Sequence, residues 1–332
     1  MKRSGKVYIR GSLGHVYQRS VSGFVIFYTI EDYLMFFMIF CSLARKHHVR
    51  ILGLCLMVDH IHFLVQADCL QSISKFVQEY SIAFVRAYNK EYGFHGSLLR
   101  SSFGISSKVG DKKKRTAIAY LYNNPVEKKL CRKCEEYRWN FLAYANSDHP
   151  FSEKLILSKA SAGLRRAIRF VRLMSRSGRV VVRQQLNKMF SALSIKEKNQ
   201  LADFIIRTYS CIQYEKSISY YGSYPQMVQA INSNTGSEYD LKEDFNPYSD
   251  RAFIRMANKV VGSAGKEGLK HLLHSSTEEK LSVLRSFINE LAVAPLQAVK
   301  FLRLKGAVLQ DSRKIAPSSR GNVADYCGGQ QT

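Results

Sequence analysis

The spacing of apolar side chains changes character repeatedly over residues 1–146, and each change marks an element. Residues 15–19 (HVYQR) read as a short strand. Thr29, Ile30, Glu31 and Asp32 form a capping-box pattern that opens an apolar helix running to about Lys46. Residues 49–57 are rich in leucine and β-branched side chains, Val58 and Asp59 supply a turn, and residues 60–66 make another strand, so a hairpin is predicted. Leu70, Ile73, Phe76 or Val77, Tyr80, Phe84 and Tyr88 then fall three or four positions apart, as on an amphipathic helix, with Gly93 placed as its C-cap. Residues 101–109 are a weak strand, and Asp111 is placed to cap a last helix through Asn124 that Pro125 ends. The order β-α-β-β-α-β plus an extra helix predicts an α+β, ferredoxin-like fold: an antiparallel sheet with two helices covering one face.

After Asp148-His149-Pro150 the pattern becomes mostly helical, which divides the chain into a domain over 1–147 and a helical, basic one over 151–332. Ser194 with Glu197 and Ser276 with Glu279 are further capping boxes. Gly, Ser, Asn and Tyr gather over 214–250, which reads as a loop or hinge, and residues 276–305 suggest two helices of a helix-turn-helix. From Pro317 onward the chain looks frayed.

Charge narrows the range of partners. With 50 Lys and Arg against 26 Asp and Glu among 332 residues, the net charge is +24, which favours a polyanion as partner. Both halves are basic, +11 over 1–150 and +13 over the rest. A hydrophobic content of 46% excludes disorder throughout. The most apolar stretch, eleven residues over 33–43, falls short of the roughly twenty needed to span a bilayer, so no membrane association is expected. The start MKRSGKVYIR has no apolar run after it, and seven scattered cysteines suit reduced thiols, so a cytoplasmic, nucleoid-associated location is expected. Cys131 and Cys134 form a lone CxxC without a second ligand pair.

His60 and His62, two apart on a predicted strand, place both imidazoles on one sheet face, an arrangement that suits a metal ion and also arises from simple packing. Tyr120 and Asn124 share one helix face at i and i+4, so a helix laid across that strand would bring an amide oxygen and a phenol to the histidines; a core aromatic is the plainer reading of Tyr120. Tyr122 points about 200° away around the helix.

The segments HVYQR (15–19), CLMVDHIHFLV (55–65) and AYLYNNPVEKKL (119–130) resemble the HUH-class transposases with one catalytic tyrosine, IS200-like and above all the repeat-associated tyrosine transposases. The resemblance spans residues 10–145, with the motifs in the family's order; Val58-Asp59 stands where the family has Pro-Asn, a change expected to matter little. It implies that His60, His62 and Asn124 bind a divalent metal, Mg²⁺ or Mn²⁺, that Tyr120 is the nucleophile, and that the core is ferredoxin-like. It further implies cleavage and rejoining of single-stranded DNA at hairpin-bearing ends through a 5′-phosphotyrosine. Single-stranded or hairpin DNA is then the partner, and the protein a homodimer or a monomer.

Arg100, Lys108, Lys112, Lys113, Lys114 and Arg115 precede the tyrosine helix and suit a single-strand backbone, although a solvated surface run has the same composition. Arg165, Arg169, Arg172, Arg176, Arg179 and Arg183 would form one cationic stripe on a continuous helix, with Gly178 as its breaking point. Two other readings stand beside the transposase: a domesticated DNA-hairpin-binding protein without strand transfer, and a zinc hydrolase, for which no third His or Glu appears at a usual spacing.

Overall fold

The computed structural model describes residues 6–233 and 249–304. Its first half runs β1 (Leu13–Arg19), α1 (Ile30–Lys46), β2 (Arg50–Leu56), β3 (His60–Gln66), α2 (Leu70–Tyr92), β4 (Gly104–Lys108) and α3 (Asp111–Glu127). The strands form one sheet in the order β2-β3-β1-β4, antiparallel at each pairing. The two-residue period sorts the side chains of β3 between two cores. Ile61, Phe63 and Val65 join the aromatic core under α1 and α2, where Phe36, Phe40, Phe76 and Tyr80 are fully buried. Leu64 faces the other way, with Leu13, Leu52 and Cys55, into a smaller cluster beneath α3. His60 and His62 share the parity of Leu64 and so lie on the α3 face.

Most helix ends agree with the sequence signals. Gly93 caps α2 in the left-handed conformation, and the capping boxes at Thr29, Ser194 and Ser276 form. Two details at α3 differ. Gly110, with φ 79°, is the N-cap and Asp111 the first helical residue. Pro125 lies inside the helix, because so near the C-terminus it removes a single N–H donor; the Lys128 N–H bonds the Asn124 carbonyl at 3.0 Å and the Leu130 N–H the Pro125 carbonyl at 2.8 Å.

The described remainder contains eight helices: α4 (Ala162–Arg176), α5 (Arg183–Ser191), α6 (Ile195–Tyr209), α7 (Tyr214–Ile218), α8 (Tyr224–Asn232), α9 (Arg251–His274), α10 (Thr277–Leu291) and α11 (Pro295–Leu302). Much of it packs on the first half: α5 and α6 lie against α1, and their buried side chains continue its core. Asp32, the acid of the first capping box, is fully buried; it accepts from the backbone N–H groups of Tyr28 and Thr29 at 3.0 and 2.9 Å and from Tyr92 Oη at 2.8 Å, and is ion-paired with Arg183 of α5. Near the edge strand β2, the Gln213 N–H bonds the Ile51 carbonyl at 2.8 Å and Ser217 Oγ the Leu52 carbonyl at 2.7 Å, which blunts that edge.

The segment expected as a loop or hinge over 214–250 instead begins with α7 and α8. Ser223 caps α8, Pro225 sits in its first turn, and Met227 and Ile231 bury against the α3 side of the sheet; the polar, Gly- and Tyr-rich composition masks this short amphipathic helix. Residues 234–248 lie outside the described residues, as does the stretch from Pro317. Over 276–305, α10 and α11 form, but Val299, Phe301 and Leu302 of α11 are buried and Tyr28 Oη bonds the Phe301 carbonyl at 2.8 Å, so α11 serves as core. Among the described residues, no helix is long and apolar enough to cross a membrane.

Candidate active site

Packing α3 across β3 brings His60, His62, Tyr120 and Asn124 together. The ring centroids of His60 and His62 are 4.9 Å apart, and the Tyr120 ring meets His62 edge-on at 5.8 Å and His15 of β1 at 5.4 Å. Asn124 Nδ2 lies 3.4 Å from His62 Nε2. Since Nδ2 can only donate, His62 Nε2 carries the lone pair and its proton sits on Nδ1, facing His15 Nε2 at 3.1 Å. His60 is fixed from the other side, with Nδ1 2.5 Å from Asp59 Oδ1. Both imidazoles thus have Nδ1 engaged, the arrangement in which Nε2 serves as a ligand.

These residues fit a divalent cation. Two imidazole Nε2 atoms and one amide oxygen form a neutral donor set, and Asn124 Oδ1 is buried without a hydrogen-bond partner, so half a turn of the amide would aim it at the histidines. His15 turns its Nε2 toward His62, which makes it an orienting group. Among the described residues no cluster of three or more His, Cys, Asp or Glu is placed to hold a metal.

Charges around His60 are mixed. Burial pushes the Asp59 carboxyl up, but His60, Lys300 and Arg19 outweigh it and hold it below the ordinary range. Asp250, just before α9, is raised to about 6, by burial first and Asp59 second. Tyr122 lies on the other side of α3, fully buried, its phenol pushed up by burial. A Cβ on Gly53 would come within 3.1 Å of Tyr122 Oη, so glycine makes the room for this ring. Tyr17, 37% exposed with its ring 6.3 Å from His62, depends on another glycine: a Cβ at Gly104, its partner on β4, would collide with the ring at 1.9 Å.

Sequence reasoning missed the roles of His15 and Asp59. The period of HVYQR puts His15 on one face with Tyr17, but its approach to His62 arises from the β1–β3 pairing, which no local signal encodes. In the Val58-Asp59 turn, the Asp59 carboxylate binds His60.

The basic residues separate into groups. Lys112, Lys113 and Arg115 are exposed along the first turns of α3, and Lys114 pairs with Asp111 at 3.4 Å. Lys108 ends β4, while Arg100 lines a cleft beside α2. Arg165, Arg169, Arg172 and Arg176 are exposed on α4, but the six-arginine stripe is broken: Gly178, with φ 68°, follows the helix end, Arg179 stands in the connection, and Arg183 turns inward to Asp32. Cys131 and Cys134 are buried, and burial pushes the Cys131 thiol up to about 12.

The model of the family described as "Transposase IS200 like" matches residues 26–124. A solved structure of a REP-associated tyrosine transposase bound to a REP hairpin is similar at 16% identity and a TM-score of 0.37, covering 42% of this chain and 81% of that one. No curated protein matches. The stretch that is similar to the IS200-like transposases, residues 26–124, carries His60, His62, Tyr120 and Asn124.

Proposed function

We propose that the protein is a metal-dependent single-stranded DNA transposase that cleaves and rejoins DNA at hairpin-bearing ends, using Tyr120 on a ferredoxin-like catalytic fold with a helical, DNA-binding extension. The observation that carries this reading is the convergence of Tyr120 and Asn124, one helical turn apart, on His62, with the Tyr120 ring 5.8 Å from the imidazole.

In this reading Tyr120 Oη attacks the scissile phosphorus and loses its proton, the bond to the 3′ oxygen breaks, and that oxygen takes up a proton. The products are a free 3′-OH and a 5′-phosphate esterified to Tyr120. Attack by another 3′-OH reverses the exchange and rejoins strands without an external energy source. His60, His62 and Asn124 would hold Mg²⁺ or Mn²⁺, which supplies Lewis-acid polarisation of the phosphate. Asp59 and His15 keep the imidazole protons on Nδ1, and α3 fixes the phenol beside them. A phenol, with its ordinary pKa near 10, is also a good leaving group in the second exchange.

The test uses oligonucleotides from the DNA flanking the gene, where paired short palindromes are expected, labelled at the 3′ end. With Mn²⁺ or Mg²⁺ the label should migrate with the denatured protein; Tyr120→Phe should abolish this and Tyr122→Phe should not. An adduct that survives Tyr120→Phe overturns the nucleophile. Hairpin binding without an adduct in either metal favours the regulator that binds without cutting.

A further inference from the structure

Along the first turns of α3, on the approach to Tyr120, lies an open cleft of about 640 Å³ whose far wall comes from the α7–α8 connection, beyond the residues that match the family. Lys112, Arg115, Thr116 and Ala119 line it from α3 and Tyr220 and Gln226 from the other side, and among the described residues no carboxylate lines it. The connection is fastened there: Tyr221 Oη donates to the Arg115 carbonyl at 2.7 Å, and Met227 and Ile231 are buried in the cluster beneath α3. Two further ammonium groups, Lys114, which also pairs with Asp111, and Lys216, stand 5.3 and 6.0 Å from the centre of the Tyr220 ring.

An aromatic ring held half-exposed among four cations combines the two elements that bind single strands: a flat platform for a base and fixed positive charge for the phosphates on either side of it. A paired base keeps its faces stacked within the duplex and cannot use such a platform, so an exposed ring of this kind suits unpaired nucleotides. Its position adds direction, because Ala119 on its floor immediately precedes Tyr120.

We propose that this cleft binds a single-stranded DNA segment next to the phosphate presented to Tyr120, with a base stacked on Tyr220 and phosphates on Lys112 and Arg115. The inference rests on the transposase reading for its choice of DNA. It gives the α7–α8 segment a role in substrate binding.

Anisotropy of a labelled thymidine oligonucleotide with the full-length protein, in EDTA so that no cleavage occurs, tests it. Tyr220→Ala should weaken binding about tenfold and Tyr220→Phe should restore it, as base–aromatic stacking requires. Lys112→Ala with Arg115→Ala should lower the slope of log affinity against log salt by about 1.4, and this surface pair carries the test if Tyr220→Ala unfolds. Blunt duplex affinity should respond much less to Tyr220→Ala. The proposal falls if folded Tyr220→Ala binds the oligonucleotide as the unaltered protein does, if Tyr220→Phe is as weak as Tyr220→Ala, or if the lysine–arginine pair leaves the salt slope unchanged. The adduct assay separates the two readings. An adduct with no effect at Tyr220 removes the cleft alone, and an effect at Tyr220 with no adduct removes the transposase alone.

Discussion

Asn124 Nδ2 lies 3.4 Å from His62 Nε2, one helical turn beyond Tyr120, so α3 and β3 address a single point from opposite sides. If that point holds the metal, Asn124→Ala should weaken Mn²⁺ binding by at least about tenfold, while Tyr120→Phe, which removes no proposed donor, should leave it near the original value. Titration calorimetry of the two variants checks this. Equal affinity in Asn124→Ala would remove the amide from the ligand set.

His15 acts on the same point at one remove. His15→Ala deprives the His62 Nδ1–H of its acceptor and should lower Mn²⁺ affinity by about 10–100-fold; His15→Gln, whose amide oxygen can accept the same proton, should recover part of it. Nitrogen NMR of the histidine rings gives a second readout: His62 should carry its proton on Nδ1 in the original protein and lose that preference in His15→Ala.

The contrast between these residues shows what the sequence makes legible. The alternation of HIHFLVQ is local, and it places His60 and His62 on one face before any tertiary structure is known. Tyr120 and Asn124 are likewise paired by helical period. That His15 reaches His62 depends on β1 pairing with β3 in one register, a contact 47 residues long in sequence that no periodicity announces. The same limit applies to Arg183. Its spacing matches the arginines of α4, but the break at Gly178 and the buried carboxylate of Asp32 turn it inward, and neither the turn nor its partner is visible in the spacing. Composition misled at α8, where two buried side chains, Met227 and Ile231, suffice to dock a nine-residue helix within a polar stretch.

The Arg183–Asp32 pair is both charged and almost wholly buried, and Arg183 Nη2 also bonds Thr29 Oγ1 at 2.8 Å. Removing one partner leaves an uncompensated buried charge, so Arg183→Ala should lower the unfolding free energy by about 3–5 kcal/mol. Arg183→Lys should recover only part, because an ammonium cannot serve both acceptors in the fork geometry of a guanidinium. Urea unfolding at constant pH measures both.

Thiol chemistry should divide along burial. Cys69, exposed ahead of α2, is held below the ordinary thiol range by hydrogen bonds from the Ser72 side chain and backbone, whereas burial pushes Cys131 up to about 12. At neutral pH, iodoacetamide followed by peptide mass spectrometry should therefore find Cys69 alkylated well before Cys131 and Cys134, which should react only on unfolding. Early alkylation of Cys131 would mean that its segment opens in solution.

The arginines of α4 make a separate prediction about DNA. Arg165, Arg169, Arg172, Arg176 and Arg179 are all exposed, but the Arg172 guanidinium also lies over the Phe204 ring at 5.4 Å, and Arg183 is committed to Asp32. If Arg165, Arg169, Arg176 and Arg179 each neutralise a phosphate of a single strand, replacing these four with alanine should reduce the slope of log affinity against log salt by about 3. Arg172→Ala alone should change it by less than one contact's share, because that charge is partly engaged by the aromatic ring. Arg183→Ala, measured where the variant remains folded, should not change it. A slope unaltered by the fourfold replacement would mean that this face carries solvated charge only, and that the DNA contacts lie nearer α3.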